Sequence, residues 1–272
     1  MVTLASGADS TPHGHREIAE SFGADADRYD RARPRYPAAL TDAIMTRLPG
    51  RSVLDVGIGT GISAEPLRDR GCSVLGVEPD ARMAERARAK GFKVENGTLE
   101  DWEPQGRQFD GLVAGQTWHW VDPVAGARKA ATVLRPGGLF AVFWNLGRPS
   151  AELAAQFAEV FDSVGTGLPF NPYAVQPDAD PYGAIIDAAA AGLERTGVFT
   201  GVERLSFGWR STATRDAWLE QASTSGGVNR LPPAVLDALL RRMGQVIDAA
   251  GGVVEVEWST VAAFSVRWSL AG

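Results

Sequence analysis

The chain has 272 residues, of which 44% are hydrophobic, and carries a formal charge of -6 at pH 7. That length and apolar content allow a substantial core, built as one large domain or as one domain with added elements, and the acidic balance offers nucleic acid no basic surface. The single cysteine, Cys72, excludes an intramolecular disulfide, and with the three histidines it shows no zinc-ligand spacing, so no metal is expected.

Residues 1–15 are small and polar, without the basic start and apolar run of a signal peptide. No segment approaches the roughly 18 uninterrupted apolar residues of a membrane span, so the expected location is cytoplasmic, away from membranes. Residues 16–22 and 37–48 read as helices, the second entered through Pro37, whose ring pre-sets the first-turn dihedral. Strands follow near 52–56, 73–78, 92–95, 109–115 and 138–144, alternating with helices near 61–70, 80–90 and 123–134. That alternation implies a parallel sheet with right-handed crossovers.

The second half departs from it. Residues 150–165 carry Leu153, Phe157, Val160, Phe161 and Val164 at helical spacing, and 182–195 is a second helical run beyond a loop-like stretch at 165–181. Then 202–209 alternates like a strand, 214–222 and 233–249 look helical, and 253–268 holds a long strand region. Four segments result: a helical N-terminal cap over 1–50, a ligand-binding core over 51–145, a helical insertion over 146–200, and a C-terminal part over 201–272 that completes the sheet with two antiparallel edge strands.

Residues 53–61 read Val-Leu-Asp-Val-Gly-Ile-Gly-Thr-Gly, an apolar strand running into three glycines. Gly57, Gly59 and Gly61 let the chain turn sharply and approach a ligand with no Cβ in the way, while a helix over about 62–70 would aim free N–H groups at the loop. Strand two ends in Glu78, where a carboxylate can accept hydrogen bonds from both hydroxyls of a ribose. This is the pattern of a nucleoside-bearing ligand. The dinucleotide fingerprint G-x-G-x-x-G needs a third glycine at position 62, where this chain has Ile62, so a nicotinamide cofactor is disfavoured. Taken alone, the glycines also suit an ordinary turn, Glu78 a solvated strand end and Asp55 a turn-bonding residue.

Further along, Gly97-Thr98-Leu99-Glu100 follows the third strand, Gln116-Thr-Trp118-His119-Trp120-Val-Asp122-Pro123 the fourth, and Val-Leu-Arg-Pro-Gly-Gly-Leu at 133–139 precedes the fifth. With the G-x-G-x-G loop after Asp55 and the acid at Glu78, these motifs resemble the class I S-adenosylmethionine-dependent methyltransferases over about half of the chain. The Gln116 segment, and Tyr29-Asp-Arg-Ala-Arg33-Pro-Arg-Tyr36-Pro37, are similar to the type 11 subgroup related to trans-aconitate methyltransferases.

The resemblance implies an α/β, Rossmann-like, seven-stranded, mostly parallel sheet flanked by helices, with the N-terminal helices and the insertion after strand five acting as a lid. It implies S-adenosyl-L-methionine as cofactor and S-adenosyl-L-homocysteine as product. Gly57 and Gly59 would approach the methionine part, Glu78 the ribose, Met83 a face of adenine, and Thr98 and Leu99 its edge, with Pro79 among the contacts. Tyr29 and Arg33 would meet the cofactor carboxylate, Arg33 through its planar fork. Strand ends place Asp55 and Gln116 on the same rim.

Methyl transfer is an in-line displacement, so positioning carries most of it. His119 is the catalytic candidate, either as a base toward an acceptor hydroxyl or as a residue that orients its tryptophan neighbours, and a carboxylate acceptor would need no base. Trp118, His119 and Trp144 are candidate substrate contacts. The wider group of Trp118, Trp120, Trp144, Phe170, Tyr173 and Trp209 suits an apolar acceptor pocket or plain core. The expected activity is O-methylation of a small-molecule acid or hydroxyl. Methylation at nitrogen or carbon, and a module that binds the cofactor without turnover, are the alternatives. Oligomeric state leaves no mark in the sequence.

Overall fold

A computed structural model describes residues 23, 25–168, 171–174, 180 and 182–268. The helix expected at 16–22 and the aromatic Phe170 lie outside the described residues. The chain divides into two compact units. One takes the residues up to Pro34 with Leu146–Pro181 and Gly208–Ser259, and the other takes Arg35–Asn145, Tyr182–Phe207 and the chain from Thr260.

Seven strands form one sheet in the order β3-β2-β1-β4-β5-β7-β6. They are β1 (Ser52–Val56), β2 (Ser73–Glu78), β3 (Lys93–Asn96), β4 (Phe109–Gly115), β5 (Leu134–Pro149), β6 (Glu203–Thr214) and β7 (Val253–Val266). The first five pair in parallel, with Asp55 opposite Gly76 and Val113, Glu78 opposite Asn96, and Gly115 opposite Phe143. β1 and β4 are buried along nearly their whole length, as strands covered on both faces must be. The sheet is mostly parallel and flanked by helices, as the alternation requires.

Side-chain caps set the starts of the two helices that follow β2 and β4. Asp80 accepts the Arg82 N–H at 2.9 Å and opens α4 (Ala81–Ala89), and Asp122 accepts the Val124 and Ala125 N–H groups ahead of Pro123 to open α5 (Pro123–Val133). The helix expected at 61–70 is cut to α3 (Glu65–Asp69), because Pro66 has no N–H to continue the ladder after the Glu65 N–H to Gly61 O bond. With so few aligned peptides, that helix adds little dipole to the loop. The fifth strand, expected at 138–144, reaches back to Leu134 because its pairing with β4 is irregular between Phe109 and Gly111.

In the unit holding the glycine loop, the core gathers Val53, Ile58, Val113, Leu139, Ala141 and Phe143 with α2 (Ala38–Arg47), and α7 (Gly183–Glu194) packs on α5. In the other unit, α6 (Ala151–Val164), α8 (Arg215–Ser223) and α9 (Pro233–Ala249) bury Phe157, Phe161, Trp218, Leu239 and Ile247, while α1 (Ala26–Ala32) lies on α8. Among the described residues, no helix is long and apolar enough to cross a membrane.

Candidate active site

The parallel strands β1, β2 and β4 end at Val56, Glu78 and Gly115, and the candidate residues follow these ends. Gly57 and Gly59 both have positive φ, 63° and 57°, which glycine adopts without strain. They are glycines for different reasons. A Cβ on Gly57 would run into the Thr117 side chain, whose hydroxyl donates to the Gly57 carbonyl at 3.2 Å. A Cβ on Gly59 would meet only Met83 Cε at 3.6 Å and the Gly57 carbonyl at 4.0 Å. The space over Gly59 is therefore left open by the protein.

Glu78 is buried, and its carboxylate ties two loops together. Oε2 accepts the Gly59 N–H at 2.9 Å and Oε1 the Asp80 N–H at 3.0 Å. Desolvation outweighs these hydrogen bonds and raises its pKa to about 7. Pro79 stands exposed between buried Glu78 and Asp80. Asp55 is completely buried. Ser63 donates to its Oδ2 at 2.7 Å, Oδ1 has no partner among the described residues, and burial lifts its pKa to about 7 with some help from the Glu78 charge.

Gln116 holds a φ of 57°, uncommon for a residue with a side chain, and donates from Nε2 to the Asn145 carbonyl at 3.1 Å. Leu99 is core. The Thr98 hydroxyl donates to Asp101 Oδ2 at 2.8 Å and accepts the Asp101 N–H.

His119 sits in a 3₁₀ turn, Trp118–Trp120, directly after β4. Its ring is buried. The Trp144 indole N–H donates to Nδ1 at 3.1 Å, while Nε2 has no partner among the described residues. An indole nitrogen only donates, so Nδ1 must be the unprotonated atom and the neutral ring carries its hydrogen on Nε2. Burial also holds the pKa down at about 3, which keeps the ring neutral. A base needs a free lone pair facing the acceptor. Here the lone pair is spent on Trp144, and Nε2–H is a buried donor.

Trp144 is wholly buried and stacks on Tyr182 at 5.5 Å. Trp118 packs edge-on against Phe140 at 4.8 Å, and Trp120 lies 4.6 Å from the His119 ring. Tyr173, Trp209, Tyr29 and Arg33 belong to the other unit. There the Arg33 guanidinium lies 4.8 Å over the Tyr29 ring and donates to the Thr224 carbonyl, and Trp209 stacks on Trp258.

The profile of the family described as a methyltransferase domain matches residues 54–142. An uncharacterized methyltransferase of Mycobacterium tuberculosis is 36% identical over 132 residues, 48% of this chain and 54% of that one. The chain thus spans about half the length of these curated mycobacterial relatives. A ubiquinone biosynthesis O-methyltransferase of Rhizobium etli is 31% identical over 180 residues, covering 62% of this chain and 71% of the relative. The chain belongs to the class I S-adenosylmethionine-dependent methyltransferases.

A solved structure of a candidate type II methyltransferase from Anaeromyxobacter dehalogenans shares the fold of this methyltransferase, with a TM-score of 0.58 at 20% identity over 85% of this chain and 97% of that one. The residues present fit the cofactor chemically. An open glycine, a buried carboxylate with lone pairs to spare at a strand end, and a partnerless Asp55 Oδ1 suit a ligand with two hydroxyls, an ammonium and a sulfonium. Sequence reasoning missed Thr117, Asp101 and Asn145 in this methyltransferase. Thr117 and Asp101 lie inside or beside quoted motifs, whereas nothing local marks Asn145, which bonds Gln116, the Arg35 carbonyl and Thr260.

Proposed function

We propose that this methyltransferase transfers a methyl group from S-adenosyl-L-methionine to an oxygen of a small organic acid, its carboxylate being the acceptor. The bound cofactor supplies an electrophilic methyl group on a sulfonium. Gly59 leaves room for the methionine part, Glu78 takes the ribose hydroxyls, Met83 packs against adenine, and Asp55 and Gln116 complete the rim.

The observation that carries the choice of acceptor is the His119 tautomer. Nε2–H is a buried donor without a partner, suited to an oxygen that is already negative. A carboxylate, with an ordinary pKa of about 4, arrives ionised and needs no base. His119 then orients it through one charge-assisted hydrogen bond, and Trp144 fixes His119. The relative named for O-methylation supports oxygen as the receiving atom.

The test is turnover with S-adenosylmethionine against separate pools of carboxylic acids, phenols and amines, followed by mass analysis of the product. A base-labile methyl ester supports the proposal. A methylamine, a carbon-methylated product, or cofactor binding with no turnover on any pool overturns it.

A further inference from the structure

The unit built from α6, α8 and α9 encloses a cavity of about 560 Å³. We infer that this cavity is a binding site for a small, flat, uncharged molecule bearing a carbonyl-type oxygen. The inference does not depend on the methyl-transfer reading.

Its size falls within the range of roughly 300–1,000 Å³ typical of small-molecule sites. Phe161, Tyr173 and Trp218 line it together with Leu239 and Met243, so the walls are aromatic and aliphatic. Trp218 is held in plane by stacking on Phe157, with centroids 5.9 Å apart and rings tilted by 17°. A fixed aromatic plane in an apolar wall favours a flat partner.

The Trp218 indole N–H gives the polar specification. It is buried and has no hydrogen-bond partner among the described residues. Leaving a buried donor unpaired is costly, and an indole nitrogen can be satisfied only by an acceptor atom. A ligand oxygen would supply one. The charge on the lining decides against an anion. Arg148 is the single cation among the described lining residues, while Glu255 and Glu257 are both present and Glu257 is paired with Arg210 at 2.6 Å. Burial raises the Tyr173 pKa and keeps its phenol neutral.

The test uses 2-acetylnaphthalene and its hydrocarbon counterpart 2-ethylnaphthalene as probes, measured by equilibrium dialysis against the full-length protein. Both are expected to bind, the ketone about fivefold more tightly, which is the worth of one hydrogen bond. Trp218→Phe should bring the two probes level. Ala154→Trp, which fills the cavity from α6, should abolish both, with near-native circular dichroism showing that the fold persists. Absence of binding by the wild type, binding that survives Ala154→Trp, or equal affinities that Trp218→Phe leaves unchanged would each overturn the inference.

Discussion

Glu78 Oε2 accepts the backbone N–H of Gly59 at 2.9 Å, so the acid that ends the second strand also shapes the glycine loop that ends the first. The other oxygen holds the Asp80 N–H, which fixes the start of α4 and with it Met83. One carboxylate therefore aligns two further candidate cofactor contacts, Gly59 and Met83, before any ligand arrives.

Removing that carboxylate should cost binding through both routes. Glu78→Ala is expected to weaken S-adenosylhomocysteine by about 1.5–3 kcal/mol, the worth of hydrogen bonds to a charged acceptor. Calorimetric titration reads this directly, and a folded variant with unchanged affinity would remove Glu78 from the site.

The raised pKa of Glu78, about 7, makes binding pH-dependent. The free protein holds a proton on this group below that pH, whereas ribose hydroxyls donate best to the ionised form, so binding expels the proton. Affinity should rise between pH 6 and 7 by up to tenfold for each proton released and level off above that range. Asp55, shifted to a similar value, adds in the same sense. Titrations in buffers of different ionisation enthalpy would count the protons, and an affinity flat from pH 6 to 8 would contradict the assignment.

The two glycines should fail differently. Gly57→Ala meets the Thr117 side chain and should lower stability beyond the roughly 1 kcal/mol that left-handed backbone costs a residue with a Cβ, with partial recovery in Thr117→Ala. Gly59→Ala bears only the backbone cost, and Gly59→Val should abolish cofactor binding with near-native circular dichroism. Thermal melts and titrations on the same preparations separate the two effects.

For His119, the donor assignment predicts a rate without a histidine limb. At saturating cofactor, turnover should not fall near pH 6.5 but only as the acceptor acid itself protonates, near pH 4 to 5. His119→Ala should raise the acceptor KM about tenfold or more, and His119→Gln, which retains an N–H donor, should recover part of it. Trp144→Phe removes the hydrogen bond that fixes the tautomer and should introduce a pH-dependent limb absent from the wild type. A limb near pH 6.5 in the wild type would restore the base.

The strands, the glycine loop and Glu78 were legible because each rests on local pattern: apolar runs, glycine spacing, an acid at a strand end. What stayed hidden depends on residues far apart in sequence. Gly57 is confined by Thr117, 60 residues on, and the tautomer of His119 is decided by Trp144, 25 residues on. The helix after the loop read too long because its pattern continues back through residues 62–64, while Pro66, which has no N–H, breaks the ladder after the Glu65 N–H to Gly61 O bond. Trp118 and Trp144 are both buried, one packed on Phe140 and the other donating to His119 Nδ1, partners that no local pattern announces.

Asn145 accepts from Gln116 and Thr260 and donates to the Arg35 carbonyl, a knot among four stretches of chain that meet at no other polar residue named so far. Its consequence is one of inheritance. The Asn145 and Thr260 side chains cannot drift independently, because a change at either strands a buried polar group on the other, whereas Gln116 bonds only the Asn145 backbone carbonyl. Descendants of this chain should exchange those two together or not at all, and a lone Thr260→Val, remote in sequence from the glycine loop, should lower stability by leaving the Asn145 side-chain oxygen without that donor.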